Sequence, residues 1–212
     1  MKERGIIFNA EMVRAILDGR KTQTRRIIKS VPATHNFRGW IMSSTRAKDE
    51  GKACWAIGDS PLLKEPIRLN CPLGKVGDRL YVREKFKAGV CTESTIAYKA
   101  THKPSDLEEG WYEEIKWTPS IHMPRRYSRI TLEVTDVRVE QLQDISEQDA
   151  LFEGIITGRY GNDDNWQDGF YVPNNNQPYQ TAKSAFCALW QSIYGVDSFY
   201  KNPWVWVIEF KK

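Results

Sequence analysis

Apolar residues recur along this chain at two periods, and the points where one period replaces the other divide it into elements. Met12, Val13, Ile16 and Leu17 share one helical face, Asn9 is a cap and Gly19 a stop, so the spacing predicts a helix over residues 10–18. From Thr22 to Ile28 the pattern turns polar and then β-branched, which predicts a strand entered through a turn that leaves Lys21 at its mouth. Alternation puts Thr22, Thr24 and Arg26 on one side of it and Gln23 and Arg25 on the other. Residues 31–74 show scattered Pro, Gly, Ser and charge without a sustained period and are expected to be an insertion of loops and short pieces. Beyond the turn signal Val76-Gly77-Asp78, Arg79 to Glu84 alternates as a strand with Leu80 and Val82 inward, and Thr95 to Ala100 predicts another. Within Arg129 to Val139, residues Ile130, Leu132 and Val134 alternate, and Val137 and Val139 resume in the opposite phase. A bulge or bend is therefore expected near Thr135-Asp136, a device that closes barrels.

Ser146-Glu147-Gln148-Asp149 has the form of a capping box, opening a short helix that ends at Gly154 and leaves Glu153 in its last turn. A carboxylate there meets the partial negative charge of the helix end. Residues 157–179 are rich in Gly, Asn and Asp around Trp166, Phe170, Tyr171 and Tyr179 and are expected to form a lid or binding loop. Thr181 caps a helix to Tyr194 with Ala185, Phe186, Leu189, Trp190 and Ile193 as its buried stripe, and Gly195 ends it. Trp204 to Phe210 is strongly β-prone and belongs inside a sheet. Single helices between strands, one of them before the first predicted strand, give a mixed sheet or small barrel of the α+β class.

Composition narrows the options. With 212 residues, 41% hydrophobic and 27% charged, the chain forms one core, so residues 1–212 are expected to be one domain with insertions at about 31–74 and 157–179. A net charge of +4 permits phosphate contact without requiring it. Arg20, Lys21, Arg25, Arg26 and Lys29 form one basic run, and Arg125, Arg126 and Arg129 another; solvated faces are the plain alternative for both. Cysteines 54, 71, 91 and 187 make no CxxC pair and have no His at ligand spacing, and His122 stands alone. Neither a metal, a cofactor nor a disulfide framework is expected, and a reducing cytoplasm fits. No signal-peptide core or 18-residue apolar stretch is present, so no membrane partner is expected.

The run Leu17-Asp18-Gly19-Arg20-Lys21-Thr22-Gln23-Thr24-Arg25-Arg26 resembles the signature of ASCH domains, a PUA-like family associated with RNA and modified nucleosides. Val76 to Val82, Thr131 to Thr135 with the short helix after it, and the C-terminal helix with Val207 to Lys211 resemble the segments that follow in that family. The resemblance covers less than half of the chain, and the two insertions have no counterpart in the family's minimal members. It implies a small mixed β-barrel with flanking helices, and a nucleobase, nucleoside or RNA segment as ligand, with modified DNA as an alternative. Family members that hydrolyse N4-acetylcytidine carry an active-site Lys, Thr and Glu that align with Lys21, Thr24 and Glu153. The stretch Pro119 to Arg126 is similar to longer ASCH proteins of phages and prophages, which implies a host cytoplasm and leaves a phage-assembly protein with a vestigial cleft as a further reading.

The chemistry these residues imply is amide hydrolysis: Thr24 attacks the acyl carbon, Lys21 takes its proton, and Glu153 orients Lys21 or binds the exocyclic nitrogen. Burial and the neighbouring Arg25 and Arg26 would have to lower the pKa of Lys21. The opposite arrangement is a Lys21–Glu153 ion pair that holds a binding cleft together without cutting. Arg25, Arg26, Arg83, Arg125 and Arg126 suit phosphate or carbonyl contacts, while Tyr81, Trp166 and Tyr171 suit stacking on a base. Glu84 is either a second carboxylate near the cleft or half of a strand-end salt bridge. Nothing in the sequence sets an oligomeric state.

Overall fold

The fold was obtained as a computed structural model, and it describes residues 1–32, 34–58, 64–89, 95–103, 115–162 and 165–212. Strand β1 (Glu3–Ile7) leads into helix α1 (Ala10–Leu17), whose first turn is capped by the Asn9 side chain accepting from the Met12 N–H at 2.8 Å. Gly19, with φ at +74°, turns the chain out of the helix into β2 (Gln23–Ile27). β3 (His35–Trp40), β4 (Ala53–Ile57) and β5 (Lys64–Leu69) follow, then β6 (Arg79–Arg83), β7 (Phe86–Ala88) and β8 (Ile96–Tyr98). After β9 (Thr131–Gln141) come α2 (Glu147–Phe152), β10 (Ile156–Asn162), β11 (Asn165–Tyr171), β12 (Pro178–Tyr179), α3 (Ala182–Tyr194) and β13 (Trp204–Lys211). The result is a mixed α+β protein, mostly strands in four open sheets with three helices.

The main sheet has the order β1-β6-β9-β13-β2, with β1 parallel to β6 and the other pairs antiparallel. β13 reads as a continuous apolar run because it is buried on both faces. Trp206, Ile208 and Phe210 join one core with α1, β6 and β4, while Val205 and Val207 join a second core with α2 and α3. The bulge in β9 is present: Glu209 pairs with Asp136 but Phe210 pairs with Val134, so Thr135 is the extra residue. That offset returns Val137 and Val139 to the core that Leu132 and Val134 already occupy.

Three expectations need correction. The barrel does not close: among the described residues β1 and β2 form no ladder and stand at opposite edges. Side chains fill the seam instead. The chain crosses from β1 to β2 through α1, the Arg26 guanidinium donates to the Ile7 carbonyl at 2.9 Å, and it lies 5.4 Å from the centre of the Phe8 ring. Residues 31–74 are not loops and short pieces but contain the three-stranded sheet β3-β4-β5, with register irregularities at Phe37/Gly39 and Trp55/Ile57 that break the period-two signal. Residues 157–179 are not an irregular lid: β10 and β11 form a regular hairpin to which β12 adds. The apolar N-terminal stretch is a strand, which sequence periodicity over five residues did not show.

Candidate functional site

Lys21 sits where three chain segments converge. Its backbone N–H donates to the Ala15 carbonyl at the end of α1, and the next N–H, of Thr22, donates to the Phe152 carbonyl at the end of α2. Gly154, with φ at +104°, ends α2 against Ala15 and the Lys21 stem; a Cβ there would lie 3.4 Å from Ala15 Cβ and 3.7 Å from Lys21 Cβ. The Lys21 side chain is sealed from solvent. Its ammonium donates to Glu153 Oε2 at 2.6 Å and to the Glu153 carbonyl at 2.9 Å. Burial pushes the pKa of Lys21 down, Glu153 opposes that, and Arg26 and Arg25 add to the lowering. The same contact resolves the misplaced carboxylate at the end of α2, because Lys21 supplies the positive charge that a helix C-terminus favours.

Glu153 also accepts from Arg25 Nη1 at 3.2 Å, and Arg25 opens into a network that the sequence did not reveal. Arg25 donates to Gln23 Oε1 at 2.5 Å and to Glu140 Oε2 at 3.0 Å, with Asp149 Oδ2 at 3.4 Å. Gln23 donates to Asp149 and Glu209, and Arg138 donates to Glu140, Asp149 and Glu209. The register explains the cluster: Arg138, Val207 and Arg25 lie side by side across β9, β13 and β2. Burial works against the charge on Arg138, and the Glu140 and Glu209 carboxylates outweigh it and raise its pKa.

Thr24 is buried beside this network, and among the described residues its hydroxyl has no hydrogen-bond partner. It lines a recess of about 20 Å³ together with Arg25, Arg26, Glu153, Phe186 and Trp190. Residues from both faces of β2 reach one recess because β2 is an edge strand. A second cavity of about 140 Å³ adjoins it and shares Met12, Glu153 and Leu189 with it; Gly154, Val172 and Pro173 complete one wall. A dry cavity of about 150 Å³ accepts a benzene ring, so this space is the size of one six-membered ring. Lys21 lines neither cavity and meets them through Glu153.

The structure thus brings Lys21, Thr24, Arg25, Arg26 and Glu153 together and places the other sequence candidates elsewhere. Glu84 is buried in a bidentate pair with Arg129, at 2.9 and 3.0 Å, and forms the salt bridge rather than a cleft carboxylate. Arg125 forms a bidentate pair with Glu3 and lies 5.3 Å from the centre of the Tyr81 ring. Arg83 donates to the carbonyls of Met123 and Ile121, and Arg126 lies over Tyr127. Tyr81, Arg83, Arg125 and Arg126 line neither cavity; Trp166 and Tyr171 belong to the hairpin and line neither. Among the described residues no group of His, Cys, Asp and Glu side chains is arranged to hold a metal, and no helix is long and apolar enough to cross a membrane. Cys54, Cys71 and Cys187 are free thiols, and Cys91 lies outside the described residues. Comparison with protein-family models, with curated proteins and with solved structures found no match for the chain.

Proposed function

We propose that this chain is a PUA-like protein of the ASCH type that holds a pyrimidine base or nucleoside in the cleft at the free edge of β2 and hydrolyses an N4-acyl amide there. The observation that carries this reading is a sealed Lys21–Glu153 ion pair whose Glu153 shares a recess with Thr24, a residue whose hydroxyl has no partner among the described residues, beside a cavity the size of one ring. Burial favours the neutral form of Lys21, the form that can accept a proton. Neutral Lys21 then takes the Thr24 proton as Thr24 Oγ1 bonds to the acyl carbon. The C–N4 bond breaks as that proton passes to the leaving amine. Water attacks the resulting acyl ester, releases the carboxylic acid and restores Thr24.

Release of acetate and cytidine from N4-acetylcytidine tests the reading. Native protein turns the substrate over, and Lys21→Ala, Thr24→Ala and Glu153→Ala each lose at least about a hundredfold in rate while remaining folded by circular dichroism. A folded native protein without turnover would sink the hydrolase. A second reading, a base-binding module that does not cut, is favoured by one observation: both hydrogen bonds made by the Lys21 ammonium among the described residues go to Glu153. It predicts binding of the same nucleosides without release of acetate.

A further inference from the structure

Burying a hydrogen-bond donor without an acceptor costs about 1–3 kcal/mol, so folds rarely leave such groups in place. Among the described residues four buried side-chain nitrogens lack a partner, and two of them, Arg25 Nε and Trp190 Nε1, belong to residues that line the recess beside Thr24. Both side chains are almost fully enclosed, with Arg25 2% and Trp190 3% exposed. Arg25 already donates through both terminal nitrogens to Gln23, Glu140 and Glu153, which fixes the plane of its guanidinium and leaves Nε over. Trp190 is held by Phe186 on one side, with ring centres 5.9 Å apart, and by Tyr194 on the other, at 4.4 Å. Arg25, Trp190 and Thr24 thus line one small recess, and among the described residues Arg25 Nε, Trp190 Nε1 and the Thr24 hydroxyl have no hydrogen-bond partner.

A recess of about 20 Å³ has room for one oxygen atom or one water molecule and for nothing larger. The adjoining cavity has room for a ring. We propose that Arg25 Nε and Trp190 Nε1 form a carbonyl-reading recess, which takes an oxygen of the ligand whose ring occupies the larger cavity, and that Trp190 is a specificity-determining residue of this cleft. The proposal rests on the base-binding reading above and names the chemistry it selects: a planar ring bearing a carbonyl acceptor, in place of a ring that presents only donors or no exocyclic oxygen. On an N4-acylated cytosine two oxygens qualify, the ring carbonyl and the acyl carbonyl. In the second case the same donors would stabilise the oxyanion formed when Thr24 attacks.

Three probes separate these cases: 4-aminopyrimidine, which has neither oxygen, cytidine, which has the ring carbonyl, and N4-acetylcytidine, which has both. Calorimetric affinities are compared for native protein and Trp190→Phe, which keeps an aromatic ring and removes the N–H. The indole N–H resonance of Trp190 in ¹⁵N-labelled native protein reports the same contact without a mutation. The expected result is about tenfold weaker binding of cytidine and N4-acetylcytidine by Trp190→Phe, unchanged binding of 4-aminopyrimidine, and a shift of the indole N–H on adding cytidine. An effect confined to N4-acetylcytidine also supports the recess and assigns it to the acyl oxygen. Equal affinities for all three probes with an unmoved indole resonance overturn the proposal, and continued turnover of N4-acetylcytidine in that case leaves the hydrolase standing. Cytidine binding with the indole shift but without turnover supports the recess and sinks the hydrolase. A native protein that binds none of the three overturns the recess and the base-binding reading together.

Discussion

Glu153 carries the site because two buried cations depend on it unequally. It is the one carboxylate bonded to Lys21 among the described residues, whereas Arg25 also has Glu140 and Asp149. Glu153→Gln therefore leaves Lys21 buried with a carbonyl and an amide and costs about 3–5 kcal/mol in urea denaturation. Lys21→Met costs less, because Glu153 keeps Arg25. Equal losses would mean that the two side chains are not coupled as drawn. The pH dependence gives a second check. Burial lowers the folded pKa of Lys21 from 10.5, so between that lowered value and 10.5 the unfolded chain binds more protons, and this group's contribution to stability rises with pH. Lys21→Met lacks that rise, and the native-minus-variant stability difference should climb toward pH 10.5. Lys21, Thr24 and Glu153 were legible in sequence as candidates from one short run and one helix end. Arg138 and Glu140 were not, because they lie more than a hundred residues from Arg25 and only the β9–β13–β2 register aligns them, and Asp149 was not, because it reaches Arg25 from helix α2. Trp190 read as core, and it is core, yet its N–H has no partner among the described residues.

The elements with intact periodicity were the ones sequence located. α1 and α3 came with their caps, and β13 came as a doubly buried strand, because helix caps and long apolar runs are local signals. β3, β4 and β5 were missed because their irregular registers place apolar residues out of phase. That sheet is no detachable insertion. Trp55 is fully buried, meets Trp206 of the main sheet at 5.8 Å between ring centres, and packs on Phe37, which in turn meets Trp204 at 6.1 Å. Trp55→Ala is expected to cost about 3–5 kcal/mol in denaturant midpoint measurements, the range for emptying a buried aromatic site. A loss below about 1 kcal/mol would mean that the main sheet holds its core without β3–β5. The β10–β11 hairpin stands differently. Both of its legs start at the cleft, after Gly154 and before Val172, while most of its side chains face solvent.

Across the whole molecule, the sheet separates two cores, and the cleft opens where α1 from one side and α2 and α3 from the other meet at the unpaired edge of β2. This placement bears on what reaches the cleft. Besides Arg25, which is buried in its network, sequence offered Arg26, Arg83, Arg125 and Arg126 as phosphate or carbonyl contacts on a chain of net charge +4. Three of them are already engaged within the fold: Arg26 with the Ile7 carbonyl, Arg83 with two loop carbonyls and Arg125 with Glu3. Of the four, only Arg126 bonds neither a carbonyl nor a carboxylate among the described residues. Each phosphate neutralised on a single strand contributes about −0.7 to the slope of log affinity against log salt. A short single-stranded RNA carrying N4-acetylcytidine should therefore bind with a slope no steeper than about −1, and the free nucleoside with almost none. Titrations across a range of salt concentrations measure both. A slope of about −3 or steeper for the RNA, with none for the nucleoside, would mean that these arginines leave their internal partners to track a backbone. The cleft would then serve a polynucleotide reader, and the Glu3–Arg125 pair would be the first contact expected to open.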